Sequence, residues 1–350
     1  MSKNNIFQNL TLAFALFVGT ACTRTISFQI LSPATITLPA NVRQVVLVNR
    51  AVPSKPKSNL VEGVLTGEMP GQDKQGRQEV IMGLLGALKL TPAYQTVLAQ
   101  EELKGTNTGA EFPLALSATE VAALCKKYAA EALVAMEHYD SDCIPGAASL
   151  KKDKVTNKDG SITEKVYYQV VQVGNVRAGF RIYDQTGKIV EEFEEKQNLS
   201  WTTTGSNALE ALGSIMSRVD YMNNLSNQLG GLYADRIAPY WIRVQREYYK
   251  KGHNKALKIA GRYIATNEWD SAERLYLEVI NQSGGVGNDA AKAYYNLGIC
   301  YEINGDLYKA KDCLSKAYAI GGKRLALDYS NVLTHRISIA QRVDQQLHQK

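Results

Sequence analysis

Few side chains in this chain of 350 residues are spaced as chemistry would need them. His138 stands near Asp140 and Asp142, a set that could hold a metal ion or relay a proton. The plainer alternative, which we favour, is a histidine at a strand end with solvated carboxylates. Glu191, Glu192, Glu194 and Glu195 alternate across a strand and so form no acid–base pair; they fit a solvated edge that discourages edge pairing. The cysteines Cys125, Cys143, Cys300 and Cys313 make no Cys-x-x-Cys, and no histidine pair lies near them, so they fit no zinc motif. Their even number permits disulfides in an oxidising compartment, but buried free thiols are favoured for both pairs. Gly-x-Ser-x-Gly, His-Glu-x-x-His and the phosphate-loop pattern are all missing. Gly284-Gly285-Val286-Gly287 follows no strand and is no phosphate loop. We expect no catalytic residue, no metal ligand and no cofactor.

The one residue with a clear chemical reading is Cys22. Lys3 gives a positive start, Leu10 to Val18 is apolar, and Gly19-Thr20-Ala21-Cys22 follows. The apolar run is too short for a stable membrane span, which needs about 20 residues. The segment reads as an export signal over residues 1–21. Small residues directly before a cysteine resemble the lipobox of bacterial lipoproteins. That resemblance implies cleavage before Cys22 and acylation of its thiol and new amino terminus, although Gly19 replaces the usual Leu or Val. Ordinary cleavage after Ala21 is the alternative. Several acyl chains hold a protein firmly on a membrane where one does not. The expected location is the cell envelope, on the outer membrane and facing the periplasm.

Composition is that of a folded protein: 45% hydrophobic and 21% charged. The length allows two or more domains with their own cores. The net charge of +6 is spread along the chain, whereas nucleic-acid binders concentrate it on a face, so no nucleic-acid partner is expected.

After a linker over 22–39, residues 40–238 read as strands and helices. Val42–Val48 is a short β-branched strand, and Gln78–Leu88 has helical apolar spacing. Ser117 and Glu120 form a capping box for the helix that follows. Ala132–Met136 reads as the next strand. Ser141–Glu164, with Lys151, Lys152, Lys154 and Lys158, reads as a solvated loop rather than a basic membrane-facing patch. Val166–Ile182 keeps one alternation throughout, which predicts a long strand with one face buried, and Ile189–Glu195 returns as its hairpin partner. Asn207–Ile237 reads as helix, with a break possible in principle at Gly230-Gly231. The predicted fold class is α+β, an N-terminal α/β sandwich with a mixed sheet. Its pattern resembles small envelope-lipoprotein domains, such as the curli-secretion lipoprotein and penicillin-binding-protein activator groups.

Residues 239–350 predict an all-α repeat domain. Tyr294, Leu297-Gly298, Tyr301, Ala310, Leu314 and Ala317 follow tetratricopeptide spacing. Tyr stands for the usual Trp, Leu for Phe, and the closing Pro is missing. Ala256, Ile259, Ala260, Tyr263, Ala272, Tyr276 and Val279 occupy the same places in an earlier copy. The extra length between copies falls in the loop Ser283–Gly287. Leu325 to Leu347 marks one more amphipathic helix that covers the open end. Two copies are too few to stand alone, so they should pack on Tyr240–Lys251 or on the sandwich.

The layout resembles uncharacterised Gram-negative lipoproteins with C-terminal tetratricopeptide repeats, and that resemblance implies no activity. The function expected is a membrane-anchored scaffold that binds a protein or peptide through its repeats. A structural or accessory subunit of an envelope biogenesis or secretion complex is the alternative, and an enzyme with a scattered site comes behind both. If the first helix of each pair lines a concave groove, helical spacing puts Lys292, Tyr295, Ile299 and Glu302 on its stripe. Leu257 and Ile264 are the equivalents in the earlier copy.

Overall fold

The computed structural model describes residues 23–52, 72–104 and 112–348. It divides into two compact units. The sheet unit is built from Pro33–Tyr240, with the terminal residues from Asp344 onward. The helical unit is Trp241–Val343 with the segment before Pro33. The class is α+β.

The sheet unit is built on β2 (Gln44–Val52), β3 (Gln95–Lys104), β4 (Ala132–Ile144), β5 (Ser149–Thr156), β6 (Ile162–Asp184) and β7 (Ile189–Gly205). β2 runs parallel to both β3 and β4, and each parallel return needs a crossover. Helices α1 (Gln72–Leu88) and α2 (Ala118–Lys127) supply them. β4 is antiparallel to β6, which makes the sheet mixed. β7 pairs with β6 along Tyr168–Tyr183. β4 and β5 therefore share the other edge of β6, one beyond the other. The helix expected over 207–237 is two: α3 (Ala208–Gly213) and α4 (Arg218–Ile237), parted at Ser214–Ser217, with Ser217 capping the second.

α4 does not break at Gly230-Gly231. Gly230 is instead where it crosses α1: a Cβ there would stand 2.0 Å from the Val80 carbonyl oxygen. Gly83 of α1 meets the Asn227 carbonyl oxygen in the same way, at 2.0 Å. These two helices cover one sheet face over Val45, Leu47, Val134, Met136, Phe180 and Ile182. α2 covers the other face over Val46, Val48, Leu133, Ala135 and Tyr183. Its capping box is formed: the Ser117 hydroxyl accepts from the Glu120 N–H and the Glu120 carboxylate from the Ser117 N–H.

Three expectations for the chain before residue 239 need correction. Ser141–Glu164 is not one loop: it holds the end of β4, all of β5 and the start of β6, with Lys151, Lys152 and Lys154 on exposed β5 positions and Lys158 in the turn that follows. Every residue of β5 is exposed, so hydrophobicity gives no strand signal there. The β6 alternation holds from Val170 to Ala178, but Val166, on the supposed inner parity, is 49% exposed, and Arg181, on the outer one, is 7% exposed because that end of the sheet is covered on both faces. The expected linker at 22–39 contains β1 (Thr23–Ser32), whose Ile26, Phe28 and Ile30 point alternately inward.

In the helical unit β1 pairs with β8 (Tyr240–Tyr249) as a two-stranded sheet. Two antiparallel-type hairpins follow, α5 (Lys255–Ala265) with α6 (Trp269–Gln282), and α7 (Gly287–Ile303) with α8 (Leu307–Gly321). The last helix is α9 (Arg324–His348). Gly298 lets α7 approach α8 closely, its missing Cβ lying 3.0 Å from Leu314 and 3.2 Å from the Ala310 carbonyl oxygen. α7 is central and buried around most of its circumference. Leu297 is buried, while Ile259, its counterpart in the first hairpin, is 42% exposed. The first hairpin has no earlier hairpin to cover that position.

Candidate functional site

The stripe expected to line an open groove does come together, but it is core. Lys292, Tyr295, Ile299 and Glu302 are all buried on α7, and Leu257 and Ile264 are buried on α5. This corrects the expected partner-binding surface. The reason lies in β8, whose extended backbone occupies the place an outside peptide would take. Two stacked hairpins cannot leave Tyr, Ile and Leu uncovered in water, and the chain covers them with its own strand and with α9.

The grip on β8 is made by a residue absent from the expected set. Asn296 is fully buried on α7. Its side-chain oxygen accepts from the Tyr249 N–H at 2.8 Å, and its amide nitrogen donates to the Tyr249 carbonyl at 2.8 Å. The same nitrogen donates to the Tyr276 hydroxyl at 3.0 Å. One amide thus satisfies both main-chain groups of an extended residue, a contact blind to that residue's side chain. The signal in the sequence was an amide between Tyr295 and Leu297 on a helix otherwise rich in apolar side chains.

Glu302 supplies a second grip. Arg246 of β8 donates to both its oxygens at 2.8 Å, and the Tyr329 hydroxyl of α9 donates to it at 2.5 Å. This is a bidentate guanidinium–carboxylate pair on a carboxylate with no exposed side-chain surface. Tyr295 packs against Tyr249 and Tyr329, at 5.2 and 5.6 Å between ring centres. Lys292 sends its ammonium toward the Lys251 carbonyl at 3.5 Å and over the Tyr249 ring.

A second polar cluster lies in the sheet unit at a bulge in β4. Met136 pairs with Phe180, but His138, not Glu137, pairs with Gly179. The extra residue puts Glu137 and His138 on the same face, the one covered by α2. Glu137, fully buried, accepts from Arg50 at 2.5 Å and from the Tyr183 hydroxyl at 2.9 Å, and Arg181 lies 3.6 Å away. Burial pushes its carboxyl above the ordinary range, against the two guanidiniums that pull it down. The same groups fasten the segment before α2: Arg181 donates to the Pro113 carbonyl, Arg50 to the Leu114 carbonyl, and the Leu116 N–H donates to Tyr183.

His138 is therefore not a solvated strand-end histidine. It is 2% exposed, edge-on to Phe112 at 4.9 Å, with Glu194 3.4 Å from its Nε2. The acidic run of β7 does lie on an edge strand, but it is only partly solvated: Glu191 holds Arg236, Glu192 holds Arg181, and Glu194 faces His138. These carboxylates serve as acceptors that pin neighbouring elements. Among the described residues no three His, Cys, Asp or Glu side chains converge to hold a metal ion. Cys125, Cys143, Cys300 and Cys313 are buried free thiols. Burial raises the thiols of Cys300 and Cys313 to about 12 and that of Cys125 to about 11. Cys22 lies outside the described residues. No described helix is long and apolar enough to cross a membrane.

Residues 258–335, from within α5 to within α9, match the family model described as domain of unknown function (DUF6340). No curated protein matches the chain. Residues 42–249, more than half of the chain and ending with the last residue of β8, match the model described as domain of unknown function (DUF8603). The chain belongs to the DUF8603 family.

Proposed function

We propose that this protein is a scaffold of the bacterial cell envelope, tethered through lipid on Cys22 to the outer membrane and engaging protein partners on the periplasmic side. The observation that carries the reading is the Asn296 contact: a pair of helical hairpins holds an extended polypeptide by its main chain. In this chain the held segment is its own β8, so the concave face is structural and partners meet the hairpins from outside. The alternative of an accessory subunit in an envelope biogenesis or secretion complex draws on the same features. The non-catalytic part of the proposal is supported by Glu137 and Glu302, whose oxygens are taken by cationic and phenolic donors.

The test is photo-crosslinking in cells, with a photoreactive residue placed at exposed Ile259 or Tyr308 and, as a control, at buried Tyr295. Discrete protein adducts from the exposed positions and none from Tyr295 are expected. Adducts only to lipid, or none from either exposed position, would overturn the scaffold reading.

A further inference from the structure

The helical unit carries a second feature, separate from the filled groove. β1, the segment just after β8, and α5 enclose an open recess of about 480 Å³. Arg24, Lys250, Lys251, Lys258 and Arg262 line it, with Thr266 at the rim and no acidic side chain in the lining. Among the described residues none of the five cations is held in an ion pair.

Local structure brings these charges together. Lys258 and Arg262 are four residues apart on α5 and so share one face. Gly261 lets the backbone of Lys250 lie against that helix: a Cβ there would stand 3.1 Å from the Lys250 carbonyl oxygen. The Tyr248 hydroxyl donates to the Gly261 carbonyl at 3.3 Å and fixes the approach. Arg24 enters from the start of β1. Like charges placed so close repel one another, and a local arrangement that works against stability with no internal compensation marks a functional surface.

We propose that this recess binds the headgroups of anionic phospholipids. The proposal deepens the lipid-anchor reading, because Arg24 is two residues from Cys22. A chain spans at most about 3.6 Å per residue, so an anchor at Cys22 holds Arg24 within roughly 7 Å of the acylated residue. The recess then faces the headgroup layer, where each Lys or Arg near an anionic surface favours binding roughly fivefold. Acyl chains supply the insertion, and the basic recess supplies a second contact that fixes how the helical unit sits on the surface.

The experiment uses the chain from residue 22, which contains every described element, with Cys22→Ser so that no acyl chain contributes. Sedimentation with phosphatidylcholine vesicles is compared with sedimentation on mixed phosphatidylglycerol and phosphatidylcholine vesicles. Binding only to the anionic vesicles, falling as salt is raised, is expected. The variant Arg24→Glu/Lys258→Glu/Arg262→Glu, checked for folding by circular dichroism, should bind at least about a hundredfold more weakly. Lys151→Glu/Lys152→Glu/Lys154→Glu on β5 changes net charge equally and should bind like the parent. Equal loss in both variants would mean non-specific attraction and overturn the site. So would tighter binding to a labelled oligonucleotide or to soluble glycerol phosphate than to vesicles. Fatty-acid labelling of Cys22 is scored separately, so failure of the anchor and failure of the recess are distinguishable.

Discussion

At the scale of single residues, buried polar groups of this protein act as fasteners. Asn296→Ala removes two hydrogen bonds to the Tyr249 main chain inside the core. At about 1–2 kcal/mol for each buried bond lost, urea unfolding should show a loss of about 2–4 kcal/mol. Asp73 tests a different balance. It accepts from Ser141 at 2.8 Å, and burial pushes its carboxyl up to about 6. The unfolded chain releases this proton near 4. Between those values the folded state binds more protons, so this group's contribution to stability falls as pH rises from about 4 to about 6. Asp73→Asn should therefore gain on the parent between pH 4 and pH 7 in urea midpoints; an unchanged gap would show that Asp73 titrates normally. The fastener role was hard to read in advance. Tyr295, Ile299 and Glu302 were legible as one stripe, but helical spacing says only that they share a face, not whether solvent or another strand meets it.

At the scale of elements, the glycines of the α1–α4 crossing make a contrast between adjacent positions. Gly83 and Gly230 each face a backbone carbonyl oxygen at 2.0 Å from where a Cβ would stand, while Gly231 faces nothing within 4 Å. Gly230→Ala and Gly83→Ala should each lower stability by about 2 kcal/mol or more through overpacking. Gly231→Ala should raise it by up to about 1 kcal/mol through helix propensity. Thermal unfolding of the three variants checks the sign of each. Elements with a strong local signal were legible: the capped helix α2, the core of β2 and the alternation of β6. Those with a tertiary cause were not. β3 shows no clean alternation, and β5 is wholly exposed and lysine-rich, a strand because β6 pairs with it. The β4 bulge inverts which parity faces α1 and α4, from Met136 on one side of it to Tyr139 and Cys143 on the other. No periodicity count crosses that point unharmed.

For the whole molecule, thiol chemistry offers a direct reading of the anchor. Burial holds the Cys125, Cys300 and Cys313 thiols far above neutrality, and Cys143 is raised for the same reason. The thiolate is the reactive form. Native protein recovered from membranes should therefore show no fast-reacting thiol with a maleimide near neutral pH, and four after unfolding. One fast thiol in the native state would mean that Cys22 is free and would sink the lipid anchor. Labelling with a tagged fatty acid, lost in Cys22→Ser, is the complementary result expected.

The pairing of β1 with β8 also sets a clock. β1 ends at Ser32 and its partner starts at Tyr240, so the first described strand leaves the ribosome well before the segment that completes it. At roughly 5–20 residues per second the delay is on the order of ten seconds or more. Through that interval Ile26, Phe28 and Ile30 have an edge to offer and no native strand to receive it. The strands of the sheet unit can pair in the meantime, whereas the helical unit is completed only when the early strand is retrieved. A nascent chain arrested before Tyr240 is thus the species most exposed to wrong pairing, and a supplied peptide copying Thr23–Ser32 would compete with the chain's own strand only until that retrieval is done.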